Sequence, residues 1–86
     1  MYYVGIDVAK EKHYVCILDK DKELAVKPFW IYSDILGLRS LVTKLAELSL
    51  NNDDFIIGVE STGAFSENLY EYITDADYKV ILRIIH

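Results

Sequence analysis

The opening stretch YYVGIDVA (residues 2–9) has the composition of a β-strand and carries one carboxylate, Asp7, near its middle. Side chains alternate along a strand, so Gly5 and Asp7 are predicted to share one face and Val4 and Ile6 the other. An unpaired carboxylate among apolar neighbours costs several kcal/mol unless it becomes neutral. The position of Asp7 therefore indicates that this side chain has a partner.

A second stretch, DFIIGVE (residues 54–60), repeats the same local order of glycine, aliphatic residue and acid. It is a short apolar run that ends in a charge, which is typical of a buried parallel strand. If this strand and the first one are parallel neighbours, Asp7 and Glu60 face each other at about 5 Å between their Cβ atoms. The repeated pattern therefore predicts a pair of neighbouring carboxylates on one face of a sheet.

Two close carboxylates in a poorly hydrated place repel each other, so one of them binds a proton or a cation lies between them. A hard divalent ion such as Mg²⁺ prefers carboxylate oxygens and keeps several waters. Gly5 and Gly58, one step back on the same faces, leave room for a phosphate. The residues thus predict a metal site at Asp7 and Glu60 of the kind that serves phosphoryl transfer.

The remaining pattern predicts an α/β domain with the order β-β-β-α-β-α-β. Pro28 cannot donate to a strand ladder, so the third strand is predicted at a sheet edge. The helices must return the chain parallel to its previous direction, so the simplest strand order is 3-2-1-4-5, that of a ribonuclease H-like mixed sheet. The predicted elements are strands at 2–9, 13–18 and 23–32, a helix over 35–48, a strand at 54–60, a helix that ends near Ala76 and a strand at 79–85.

Length and charge restrict the class of protein. The chain has 86 residues and a formal net charge of -5, and it shows no stripe of basic residues. Strong binding to nucleic acid therefore requires a partner or further sequence. The lone Cys16 is compatible with a reducing cytoplasm, and no apolar run is long enough for a membrane span or a secretory signal.

The motifs GIDVAK, HYVCILD and GVESTGAFSENLYEYI together resemble insertion-sequence transposases with a RuvC-like DEDD catalytic domain, the family numbered one-hundred-ten, which includes the Piv-type invertases. The resemblance covers essentially residues 1–86 and implies the amino-terminal part of that domain. It identifies Asp7 with the first family acid and Glu60 with the second. It also implies Mg²⁺ or Mn²⁺ as cofactor, DNA as substrate and a guide RNA in the intact protein.

The resemblance also carries departures from the family pattern. The two later family aspartates have no counterpart before residue 86, so the chain is expected to be truncated after the fifth strand and inactive alone. Lys22 and Asp77 stand where glycines are usual, and residues 83–86 replace a leucine-asparagine-proline continuation. Asp tolerates a left-handed backbone better than most residues.

Other interpretations remain open from the residues. Asp7 could be a structural acid bonded to backbone amides. The chain could be a fragment of a sugar-kinase or actin-like ATPase, although the turn at residues 9–12 lacks the small hydroxyl residues of such proteins. It could also be a non-catalytic assembly module that forms a homo-oligomer through the open edge of the strand at 79–85.

Several conspicuous side chains have plainer interpretations. His13, at a strand start, is expected at the surface, and Cys16 and Trp30 are expected to serve packing. The seven tyrosines are predicted at amphipathic boundary positions rather than on a surface for base stacking.

Overall fold

A single mixed sheet forms the framework of residues 1–61 and 67–84, which a computed structural model of the chain describes. The elements are β1 (Tyr2–Asp7), β2 (Lys12–Leu18), β3 (Phe29–Tyr32), α1 (Ile35–Leu48), a 3-10 helix (Asn52–Asp54), β4 (Phe55–Ser61), α2 (Glu67–Asp75) and β5 (Lys79–Ile84). The strand order is β3-β2-β1-β4-β5; β1 and β2 are antiparallel, whereas β4 is parallel to both β1 and β5. This confirms the predicted ribonuclease H-like order.

Both α-helices cover the same face of the sheet. Helix α1 lies against β3, helix α2 lies against β5, and the two helices contact each other. Along β1, β2 and β4 the buried side chains on this covered face alternate with exposed or half-buried ones, as the predicted alternation requires. The core consists of Val4, Ile6, Val8, Val15, Ile17, Ile31, Leu38, Leu41, Leu45, Phe55, Ile57, Val59, Leu69, Ile73 and Tyr78.

The opposite face of the sheet, which we call the open face, has no helix on it among the described residues. Tyr3, Gly5 and Asp7 of β1 lie on this face and are exposed. Neither described helix is long and apolar enough to cross a bilayer.

The third strand is shorter than the predicted 23–32. It begins at Phe29, directly after Pro28, because proline has no N–H to give to the ladder. Upstream, the Ala25 N–H donates to the Ile17 carbonyl at 2.9 Å, and Leu24 forms only an isolated bridge. The chain thus runs beside β2 before the regular pairing starts, and β3 lies at the predicted edge.

Helix α1 has the predicted bounds, and the ends of β1, β2 and β4 shift by one or two residues. Asp54, predicted in a strand, belongs to the 3-10 helix, where the Asn51 side chain accepts from the Asp53 N–H. Asp34 caps α1, because its carboxylate accepts from the Gly37 N–H at 2.8 Å. Residues 62–66 of the motif GVESTGAFSENLYEYI lie outside the described residues.

Among the described residues other than glycine, two positions adopt a left-handed backbone, and both are positions where the resemblance leads us to expect glycine. Lys22 has a φ of 63° and Asp77 has a φ of 67°. After α2, the Asp77 N–H donates to the Thr74 carbonyl and the Tyr78 N–H donates to the Ile73 carbonyl. These paired bonds are a Schellman motif, which requires a left-handed residue at Asp77.

We expect Lys22→Gly to raise the free energy of unfolding by about 0.5 to 1 kcal/mol. A left-handed backbone costs an L-residue about 1 to 2 kcal/mol, and the larger unfolded-state entropy of glycine offsets only part of that gain. Asp77→Gly should raise the free energy of unfolding by a smaller amount, because Asp tolerates a left-handed backbone better than Lys does. Urea unfolding measures both changes. Lys20→Gly is the control, because Lys20 lies in the same turn without a positive φ, and this variant should lower the free energy of unfolding. An equal decrease in the free energy of unfolding for Lys22→Gly would contradict the prediction.

Candidate functional site

Asp7 and Glu60 lie side by side on the open face; we call them the acid pair. They are register partners in the parallel ladder between β1 and β4, and both are exposed. Neighbouring strands are about 4.8 Å apart, so the two carboxylates can reach one common ion. Asp7 was expected in a poorly hydrated place, and its exposure shows that this expectation is wrong. Asp7 needs a partner because the carboxylate of Glu60 is close to it, and not because Asp7 is buried.

A floor of two glycines adjoins the acid pair. Gly5 and Gly58 are register partners one step back on the same face. A Cβ atom added to Gly5 would lie 3.9 Å from the Cys16 carbonyl oxygen, and one added to Gly58 would lie 3.8 Å from that of Val4, so neither glycine is covered by a tightly packed neighbour. A shallow groove of about 430 Å³ runs over the floor and the acid pair. The groove gives a phosphate access to the carboxylates.

Arg83 of β5 adds a positive charge at the other side of the acid pair. It is the register partner of Glu60, and its Nη1 lies 3.8 Å from Glu60 Oε1. Both side chains are more than half exposed, so the contact contributes little to stability. Its effect is local, because it offsets part of the repulsion between the two carboxylates. A bound cation would compete with this contact.

The acid pair belongs to a row of register partners that crosses all five strands, which we call the transverse row. Tyr14 of β2 is the partner of Asp7, and Trp30 of β3 is the partner of Tyr14. In order across the open face, the transverse row reads Trp30, Tyr14, Asp7, Glu60 and Arg83. Sequence reasoning missed Tyr14 and Arg83, although strand parity combined with the predicted strand order places both on the face of Asp7.

Trp30 and Cys16 were predicted to serve packing. Trp30 is 57% exposed on the open face, so that prediction is wrong, whereas Cys16 is half-buried beside the glycine floor. The prediction for Trp30 failed because the covered face of the short strand β3 is occupied by Ile31.

His13 is buried, contrary to the expectation that it lies at the surface. Only 1% of the residue is exposed, because His13 alternates with Val15 and Ile17 on the covered face of β2. Its Nδ1 accepts a hydrogen bond from the Ala9 N–H at 3.3 Å. Burial lowers the pKa of His13 below its ordinary value, so the neutral imidazole fits both the site and the hydrogen bond.

The acid pair has the donor chemistry of a site for a hard cation. Two exposed carboxylates on adjacent strands supply oxygen ligands, and the glycine floor leaves room for waters. No group of three or more metal-ligating side chains occurs among residues 1–61 and 67–84. The described part of the chain therefore offers two acidic ligands and not a complete two-ion site.

Comparison with known proteins identifies the family of the chain. Curated protein sequences give no match. The family model for the DEDD transposases of IS110-type insertion sequences, described as a transposase, matches residues 4–84 and so covers both acids, most of β1 and the other four strands. The chain therefore belongs to this transposase family.

Proposed function

We propose that Asp7 and Glu60 bind Mg²⁺ or Mn²⁺ and that this domain takes part in metal-dependent phosphoryl transfer on DNA. The single observation that carries the proposal is the register of the acid pair on two parallel strands beside an open glycine floor. Family membership supports the choice of DNA, because moving a DNA segment is what a transposase does.

Different residues of the chain would bind the cation, admit the phosphodiester and contact the phosphate. Asp7 and Glu60 would hold the cation at the mouth of the groove, and the glycine floor would let a phosphodiester approach it without a side chain in the way. When bound, a divalent ion supplies Lewis-acid stabilisation to the phosphoryl group and favours ionisation of water. Arg83 would turn from Glu60 towards the phosphate, where a guanidinium can donate two hydrogen bonds.

The acid pair supplies two negative charges, whereas two divalent ions carry four positive ones. We therefore propose that residues 1–86 act as the amino-terminal part of a RuvC-like catalytic domain and that further carboxylates complete its site. On this view the 86-residue chain alone binds a cation weakly and does not cleave DNA. The free thiol of Cys16 is compatible with a cytoplasmic location. A guide RNA remains a prediction from the resemblance.

A Mn²⁺ titration followed by amide NMR tests the metal site. We expect paramagnetic broadening centred on residues 5–8 and 58–61, because these segments flank the acid pair on neighbouring strands. Asp7→Asn should abolish the localised broadening, since it removes a charge and a ligand while keeping the side-chain shape.

Glu71→Gln is the matched control, because Glu71 is an exposed acid on the helix side of the molecule. This variant should broaden as the parent chain does. Broadening that is equally strong at the acidic turn of residues 19–23, or that survives Asp7→Asn, would count against the site. So would the absence of any localised effect at millimolar Mn²⁺.

One observation favours assembly as a second role. Strand β5 lies at the edge of the sheet, and its Ile81 and Leu82 are both exposed. An exposed apolar edge can pair with a strand of another chain. We therefore also propose a homo-oligomer through residues 79–85; sedimentation at increasing protein concentration tests it, and a monomer at every concentration would contradict it.

A further inference from the structure

The transverse row ends in two aromatic rings that the fold leaves in solvent. Trp30 is 57% exposed and Tyr14 is 39% exposed, so Tyr14 is available for the base stacking that the sequence did not predict for the tyrosines. Their ring centroids lie 4.7 Å apart with an interplanar angle of 54°, and the Lys12 ammonium lies 5.2 Å from the Trp30 ring. Exposed aromatic rings grouped with a cation are the elements that single-stranded nucleic acid binders use for stacking and for phosphate contact.

The charges on the open face are segregated from those of the rest of the chain. The net charge of the chain is -5, yet the five strands place only five charged side chains on the open face. Two of them are the acid pair, which we assign to a cation. The other three are basic: Arg83 on β5 contacts Glu60, whereas Lys12 on β2 and Lys79 on β5 lie away from the acid pair. Away from the acid pair, the face is therefore complementary to a polyanion.

We propose that the open face binds single-stranded DNA, with an unpaired base stacked on Tyr14 and Trp30 and the backbone crossing the glycine floor to the acid pair. The inference rests on the proposed function for the choice of DNA and for the position of the reacting phosphate. Tyr14 is on the strand next to Asp7, so a base on its ring belongs to a nucleotide close to that phosphate. A duplex keeps its base faces stacked on one another, so it cannot use these rings.

Trp30 makes the test direct, because it is the only tryptophan in the chain. Its fluorescence is followed while oligo(dT) of about ten nucleotides is added, in EDTA so that no metal contributes. We expect quenching that saturates, and weaker binding of a duplex of the same length. Tyr14→Ala should weaken the binding about 5- to 150-fold, which is the range measured for loss of one stacked base.

Two further variants separate stacking from loss of structure. Tyr14→Phe keeps the ring and should bind as the parent chain does. Tyr70→Ala removes a tyrosine of similar exposure from α2, on the other side of the molecule, and should leave the affinity unchanged. Circular dichroism verifies that each variant keeps its sheet.

Several results would overturn the proposal. Equal binding of duplex and single strand, tighter binding of oligo(rU) or no response of Trp30 would each do so. A Trp30 response that follows protein concentration without DNA would assign the face to a second copy of the chain. Because the titration contains EDTA, Asp7→Asn should bind DNA at least as well as the parent chain. Failure of the metal site and failure of the stacking surface are therefore distinguishable.

Discussion

Gly37→Ala is expected to lower the free energy of unfolding by about 2 to 4 kcal/mol, although alanine is the better helix former by about 1 kcal/mol. Gly37 lies in the first turn of α1, where the helix crosses the end of β3. A Cβ atom there would overlap the Tyr32 carbonyl oxygen and lie 2.7 Å from its carbonyl carbon. Because these neighbours are backbone atoms, α1 would have to move away from the sheet.

Gly58→Ala is the matched control for Gly37→Ala. The added Cβ would meet its nearest atom, the Val4 carbonyl oxygen, at an ordinary 3.8 Å. Its stability should therefore stay within about 0.5 kcal/mol of the parent chain. Urea unfolding followed by circular dichroism compares the two variants. A Gly37→Ala chain as stable as Gly58→Ala would show that α1 does not approach β3 as closely as described.

The acid pair was predictable from the sequence because two independent regularities coincide there. Alternation along a strand assigns Asp7 to the face of Gly5, and the repeated glycine-aliphatic-acid order assigns Glu60 to the corresponding place. The strand order then follows from Pro28 and from the two helical connections. None of these steps needs side-chain detail, since they depend on backbone geometry alone.

The environments of single side chains were less predictable. Trp30 and His13 were both assigned by residue type, and both assignments were wrong. A large aromatic ring is usually buried and a histidine at a strand end is usually solvated, but the parity of the strand decides which face each occupies. Parity could be used only once the covered face was known, which required both helices to lie on one side.

The positions where the fold favours glycine were only partly predictable from the sequence. Lys22 and Asp77 could be identified as departures from the family pattern, and their positive φ values explain why glycine is usual there. Gly37 could not be singled out in the same way, because its helical backbone is open to any residue. What requires glycine there is the close approach of Tyr32, a contact between two elements that local sequence does not report.

The stability of the chain is expected to fall below pH 6.5 because of His13. Burial lowers the pKa of this imidazole in the folded state, whereas the unfolded chain has the ordinary value of 6.5. Between the two pKa values the unfolded state binds more protons, so acid favours unfolding. The contribution of neutral His13 is complete above pH 6.5. It is lost by up to about 1.4 kcal/mol for each pH unit below 6.5, until the folded-state pKa is reached.

The hydrogen bond from the Ala9 N–H to His13 shows which part of the fold is destabilised when His13 is protonated. An imidazolium has no lone pair at Nδ1, so protonated His13 cannot accept from the Ala9 N–H, and the turn after Asp7 loses a support. Lys10 and Glu67 line the small cavity beside the imidazole, with charges of opposite sign. Urea unfolding of the parent chain and of His13→Gln, which accepts a hydrogen bond but does not titrate, should diverge below pH 6.5. Parallel pH dependences would show that His13 is not the group responsible.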